Sequence, residues 1–346
     1  MPAGGRRSDS SATVARRRLG PGSAPLAPCR RSCLILLACV FALFGFAGLT
    51  YGADWFVDGA SGLARRFHIS PLVIGLTVVA YGTSAPEIGT CLVAVLGESP
   101  GLAVGNVIGS NAANLGLILG ITAVMTPFAV PRGLLRREFW FMLGATILLW
   151  PLAAAGVVSR PVGFVLAALL IAFNVLSIRW GRGAEPGSAG GPDDGADESN
   201  AGRSLTTTAV GLIALLVGAE LLVRGASDIA RALGASETVI GLTLVAIGTS
   251  LPELATSVAA GRRGQIQIVA GNVIGSNLFN VLGALGISAA VMPVAMEPSL
   301  TTAEVPGVVL LTLLAGVFML TGRRVARVEG AVLLAAYAGY LIFVVL

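Results

Sequence analysis

The chain has 346 residues, of which 55% are hydrophobic and only 12% charged, with a mean hydropathy of +0.85. A soluble domain carries roughly a quarter of its residues as charge, so this composition excludes one and points to a membrane. The net charge of +5 comes from arginine alone, since lysine is absent, and in a membrane protein such an excess marks cytoplasmic loops rather than nucleic-acid binding.

Residues 1–32 form a basic tail with Arg6, Arg7, Arg16, Arg17, Arg18, Arg30 and Arg31 against one acid, Asp9. It reads as a targeting or disordered segment, or as an extension from an early start. Ten apolar runs follow, at 33–53, 71–96, 102–125, 138–157, 161–179, 205–224, 237–261, 266–292, 302–321 and 328–346. Each approaches or exceeds the roughly 20 residues that a spanning helix needs. The runs are continuously apolar, which excludes the alternating strands of a membrane barrel. An all-α polytopic membrane protein with ten transmembrane helices is expected. Cys29, Cys33, Cys39 and Cys91 lie near no second ligand type, the single histidine being His68, so neither a disulfide framework nor a zinc site is read.

Shifted by 166 residues, Gly52–Ile121 aligns without a gap on Gly218–Ile287, and roughly half of the pairs are identical. The chain therefore divides into a first repeat, 33–179, a polar linker rich in Gly, Pro and Ser, 180–204, and a second repeat, 205–346. Five spans per half is an odd number, so the second half enters the membrane from the opposite side and the repeats are inverted. Inverted repeats place a substrate site at the midplane, on broken helices. The arginines Arg65, Arg66, Arg132, Arg136, Arg137, Arg179, Arg182, Arg203, Arg262, Arg263, Arg323, Arg324 and Arg327 all fall in alternate loops. The positive-inside rule puts those loops and the linker in the cytoplasm and both chain ends outside, against the charge of the tail.

The repeat carries Gly82-Thr83-Ser84-Ala85-Pro86-Glu87 and Gly248-Thr249-Ser250-Leu251-Pro252-Glu253, each with a carboxylate inside an apolar run. An ionisable side chain at that depth costs about 2.5–3.5 kcal/mol on insertion scales and marks an ion or substrate path. Pro86 has no N–H for the Gly82 carbonyl, so the helix must kink or unwind there. Freed carbonyls, the Thr83 and Ser84 hydroxyls and Glu87 make an all-oxygen environment of the kind hard cations prefer, and the second copy repeats it. A proline or a single glutamate in a membrane helix can be merely structural, but two matched and inverted copies call for more. A second block supplies Ser110 and Asn114, and Ser276 and Asn280, each pair four residues apart and so on one helical face. In both halves the Asn follows the Glu by 27 residues, which lets a two-span hairpin bring them level. Gly105, Gly109, Gly271 and Gly275 read as packing positions, and Asn106, Asn111, Asn272 and Asn277 as interhelical hydrogen bonders. Asp54 with Asp58, and Glu220 with Arg224, read as ion-paired or helix-end groups, and His68 as a solvated loop residue. A hydrolase is disfavoured: one loop histidine and no HExxH or GxSxG context give no metal set and no activating base. A passive channel is disfavoured because inverted repeats with broken helices suit alternating access.

The doubled GTSxPE and GNVIGSN motifs resemble the cation/calcium exchanger superfamily, in its prokaryotic sodium/calcium exchanger branch. The resemblance covers nearly all of the chain after residue 32. It implies a ten-helix plasma-membrane antiporter that exchanges Ca2+ for Na+, with these ions and the bilayer as its partners and no cofactor. The implied ligands are Glu87 and Glu253, ringed by Thr83, Ser84, Thr249, Ser250, Ser110, Ser276, Asn114 and Asn280, with the carbonyls of Ala80 and Ala246 in outer sodium sites. The first and sixth spans would slide across the core. A Ca2+/H+ exchanger of the same fold is the alternative. Asn280 stands where potassium-dependent relatives carry an acid, which argues against K+ co-transport.

Overall fold

The computed structural model describes residues 28–129, 136–181, 201–236, 240, 244, 246–320 and 324–345. Most of the basic tail and of the linker, and much of the first part of the expected seventh span, lie outside the described residues. Among the described residues twelve helices follow in order, besides a single 3-10 turn at Pro298–Thr301. They are α1 (Pro28–Arg66), α2 (Pro71–Thr83), α3 (Ala85–Leu96), α4 (Pro100–Met125), α5 (Arg136–Ala154) and α6 (Arg160–Gly181). The second half supplies α7 (Ala201–Ala232), the short α8 (Ala246–Gly248), α9 (Leu251–Arg262), α10 (Ile266–Val291), α11 (Glu304–Leu320) and α12 (Arg327–Val345). Among the described residues seven helices are long and apolar enough to cross a membrane, and the bent pair α2–α3 makes eight. The other two expected spans are α5, a 19-residue helix opening on Arg136, Arg137 and Glu138, and the partly described 237–261, whose later part is α9.

The outer helices are longer than their apolar runs. α1 has 39 residues and α7 has 32, against expected spans ending at 53 and 224. At 1.5 Å per residue they reach about 58 and 48 Å, well beyond a hydrocarbon core of about 30 Å. Nothing stops them where the apolar run ends, because Asp54–Arg66 and Gly225–Ala232 contain no proline. They pack on each other along their length. Glycine permits the close approach: a Cβ on Gly52 would lie 2.4 Å from Leu215 N, and one on Gly218 would lie 2.3 Å from Leu49 N. Gly45 faces Leu222, Gly52 faces Leu215 and Gly59 faces Thr208, so numbers rise along α1 as they fall along α7 and the pair is antiparallel.

The interior belongs to α4 and α10, whose apolar windows are 78% and 89% buried against 17–39% for the outer helices. α6 and α2 cover α10, while α12 and α9 cover α4. Two ribbons tie the halves together at the helix ends: β1 (Phe128–Ala129) pairs with β4 (Arg324–Val325), and β2 (Val157–Val158) with β3 (Val294–Ala295). Between α9 and α10, Arg263 bonds Asp58 and lies 3.3 Å from Asp54, and the Ser61 hydroxyl donates to Gln265 Oε1 at 2.9 Å. The acids of α1 are thus ion-paired, as are Glu220 and Arg224 on α7, matching their sequence reading. Cys39 and Cys91 are free thiols, and His68 is exposed in a turn.

Candidate cation site

The first repeated motif bends the chain by 44° between α2 and α3. Ser84 leaves the helical region at φ −86°, ψ 5°, and Pro86 sits in the first turn of α3, where its missing N–H removes no helix bond. The second motif does the same at Ser250, φ −91°, ψ 3°, ahead of Pro252 in α9. Glu87 and Glu253 consequently fall in the first turn of a new helix, whose amide end favours negative charge. Ser250 N–H turns back only to the Ile247 carbonyl, whereas Ser84 N–H reaches Ala80, so the two breaks differ in tightness.

Thr83, Ser84, Glu87, Ser110, Asn114, Ser250, Glu253, Ser276 and Asn280 are all buried, and so is Ala80. Thr249 is partly exposed, and Ala246 opens α8 with its side chain outside the described set. The Ser84 hydroxyl donates to Glu253 Oε1 at 3.0 Å, joining the motif of one half to the carboxylate of the other. Glu87 and Glu253 lie within Coulombic reach of each other. Among the described residues no arginine or histidine pairs with either; the ion pairs lie on α1, α7 and the α9–α10 loop.

The Asn-bearing turns are not regular α-helix. Ala113–Ile118 in α4 and Phe279–Leu285 in α10 are π-helical, each starting one residue before Asn114 or Asn280, and Gly75–Val79 in α2 is π-helical just ahead of Ala80. Such widened turns are rare and concentrate at functional sites. Across the interior the Asn280 turn packs on α3, which carries Glu87, and the Asn114 turn packs on α9, which carries Glu253.

Within this cluster Glu87 Oε2, Glu253 Oε2, Ser276 Oγ and Asn280 Oδ1 have no hydrogen-bond partner among the described residues. Buried polar oxygens are nearly always bonded, so these four, two of them on carboxylates that no arginine or histidine pairs among the described residues, form a donor set that fits a hard cation. Other unpartnered buried groups, such as Ser288 and Asn111, which was expected to be an interhelical bonder, are neutral. What the sequence reading did not single out is the second layer. Asn106 Nδ2 donates to Glu87 O and Cys91 Sγ, and Asn272 Nδ2 donates to Glu253 O and Ser257 Oγ. Both asparagines are interhelical bonders as expected, but the bonds land on the carboxylate-bearing turns. Their fixed spacing of 19 residues from each Glu was the available signal.

Together the fold and the cluster define an integral multi-pass membrane protein with a buried, oxygen-lined, acidic centre. The family model for the sodium/calcium exchanger protein matches residues 37–179 and again 203–346, once in each half. The chain belongs to the sodium/calcium exchanger family, a family of transporters. It is 38% identical over 312 residues to the putative antiporter CaxA of Alkalimonas amylolytica, covering 88% of this chain and 98% of that one. It is 31% identical to the sodium/calcium exchanger MaX1 of Methanosarcina acetivorans, covering 89% and 99%. A solved structure of the sodium-calcium exchanger NCX_Mj, soaked with Na+ and without Ca2+, superposes with a TM-score of 0.79 at 37% identity over 89% of this chain and 99% of that one.

Proposed function

We propose that the protein is a secondary antiporter that moves Ca2+ one way and Na+ the other through the Glu87–Glu253 centre, by alternating access in the plasma membrane. The observation that carries this is the set of unpartnered oxygens on Glu87, Glu253, Ser276 and Asn280, drawn from both halves. Thr83, Ser84, Thr249, Ser250, Ser110 and Asn114 complete the ring, with the carbonyls of Ala80 and Ala246 beside it. A ten-span architecture of two inverted halves accommodates this. In its support, α1 and α7, equivalent under the 166-residue shift, run antiparallel, as an inversion requires. The ribbons also fit: β1 and β4 follow the third and ninth spans and share one face, while β2 and β3 follow the fourth and eighth and share the other.

One Ca2+ would neutralise the two carboxylates, and three Na+ in the same place, the stoichiometry that the family resemblance suggests, would leave one net positive charge. Exchange is then electrogenic. One charge moved through the potential is worth about 2.3 kcal/mol per 100 mV, so an inside-negative membrane drives Na+ in and Ca2+ out. The test is radioactive Ca2+ uptake into Na+-loaded proteoliposomes. Uptake is expected with wild type, and Glu87→Gln or Glu253→Gln is expected to weaken Ca2+ binding by roughly 100-fold, on the order of 3 kcal/mol. Uptake driven by a proton gradient and indifferent to Na+ selects Ca2+/H+ exchange instead, and full activity in both variants removes the site.

A further inference from the structure

Asn106 and Asn272 occupy equivalent positions, yet their bonding differs. Asn106 Nδ2 donates to the Glu87 carbonyl at 3.4 Å and to Cys91 Sγ at 3.3 Å. Asn272 Nδ2 donates to the Glu253 carbonyl at 3.3 Å and to Ser257 Oγ at 2.9 Å, and its Oδ1 also accepts from the Thr83 hydroxyl at 3.3 Å. Asn272 is fully buried, so no solvent substitutes for these bonds. Thr83 has one proton and three neutral acceptors within hydrogen-bond distance, Val79 O at 3.2 Å, Ala80 O at 3.4 Å and Asn272 Oδ1, and the Glu253 carboxylate also lies near enough to attract it. When the proton goes to Asn272, both carbonyls and the Thr83 oxygen keep lone pairs free for a cation.

We infer that Asn272 is a positioning residue joining the two halves of the site. It anchors the first turn of α9, which carries Glu253, and it draws the Thr83 proton away from the Val79 and Ala80 carbonyls, leaving neutral oxygens on the first half available to Na+. It touches no ion itself. This rests on the Na+/Ca2+ exchange reading above. Ca2+ is held chiefly by the carboxylates, whereas additional Na+ ions depend on the neutral oxygens, so losing Asn272 weakens Na+ more than Ca2+.

The experiment compares wild type, Asn272→Ala and Asn106→Ala in proteoliposomes. It measures Ca2+/Ca2+ self-exchange without Na+, and Na+-driven Ca2+ uptake against Na+ concentration. Self-exchange also reports that a variant is folded. For Asn272→Ala, the half-saturating Na+ concentration is expected to rise about fivefold, the size of one lost buried hydrogen bond, while that for Ca2+ moves less than about twofold. Asn106→Ala, which loses the Nδ2 bonds to the Glu87 carbonyl and Cys91 Sγ, both within the first half, is expected to move both constants in the same proportion. Equal shifts for Na+ and Ca2+ in Asn272→Ala, or the same pattern in both variants, overturn the inference. Should Asn272→Ala not survive purification, Asn272→Ser, which keeps a small acceptor, is judged by the same selective loss of Na+ affinity. A wild type that carries Ca2+ but ignores Na+ overturns the exchange reading itself, and does so before any substitution is compared.

Discussion

A carboxylate that binds a cation also binds a proton, and in the proposed exchange protons compete with the cation for Glu87 and Glu253, which lie within Coulombic reach of each other. Under the proposed exchange, protonation removes a ligand charge, so Ca2+ uptake is expected to fall as the medium is acidified. Between about pH 8 and about pH 5 the half-saturating Ca2+ concentration is expected to climb while the maximal rate at saturating Ca2+ is retained, the pattern of competition. Initial rates in vesicles over that range check it, and flat kinetics refute it. Glu87 and Glu253 were legible in the sequence as a candidate pair, because a glutamate following proline in an apolar run has few other uses and the motif occurs twice. The bond from Ser84 to Glu253 and that from Thr83 to Asn272 were not, since each joins residues more than 160 positions apart whose meeting depends on how the halves dock.

Elements were legible wherever hydropathy changed abruptly and obscure where it did not. Proline and glycine marked the breaks at Ser84 and Ser250, whereas α1 and α7 ran past their apolar segments because Asp54–Arg66 and Gly225–Ala232 are as helix-compatible as what precedes them. The π-helical turns at Asn114 and Asn280 left no composition signal; one extra residue per turn is a matter of packing. Between α1 and α7 the backbones nearly touch, and Gly218→Leu would drive side-chain atoms into the Leu49 backbone. Overpacking of this kind costs typically 1–3 kcal/mol, and about that loss or more is expected here from thermal unfolding in detergent. Gly144→Ala on α5, where a Cβ meets nothing within 4 Å, is the matched control and is expected to be neutral or slightly stabilising.

At the scale of the molecule, the proposed inversion of the two halves makes a directional prediction. Single cysteines in place of His68 and Gly264, in a background without Cys29, Cys33, Cys39 and Cys91, should react with an impermeant maleimide only from the cytoplasmic side. Cysteines at Glu98 and Gly234 should react only from outside. Labelling of intact cells against inverted vesicles reads this out, and any equivalent pair, such as positions 68 and 234, that labels from one side contradicts the topology. The two ribbons carry a further implication. Each is stitched from one strand of either half, and every carboxylate-bearing turn is braced by a helix of the other. Neither half is therefore a module that could be borrowed, swapped or silenced alone: a defect in one is inherited by both, and whatever rocks one moiety is felt at both rims of the lipid at once.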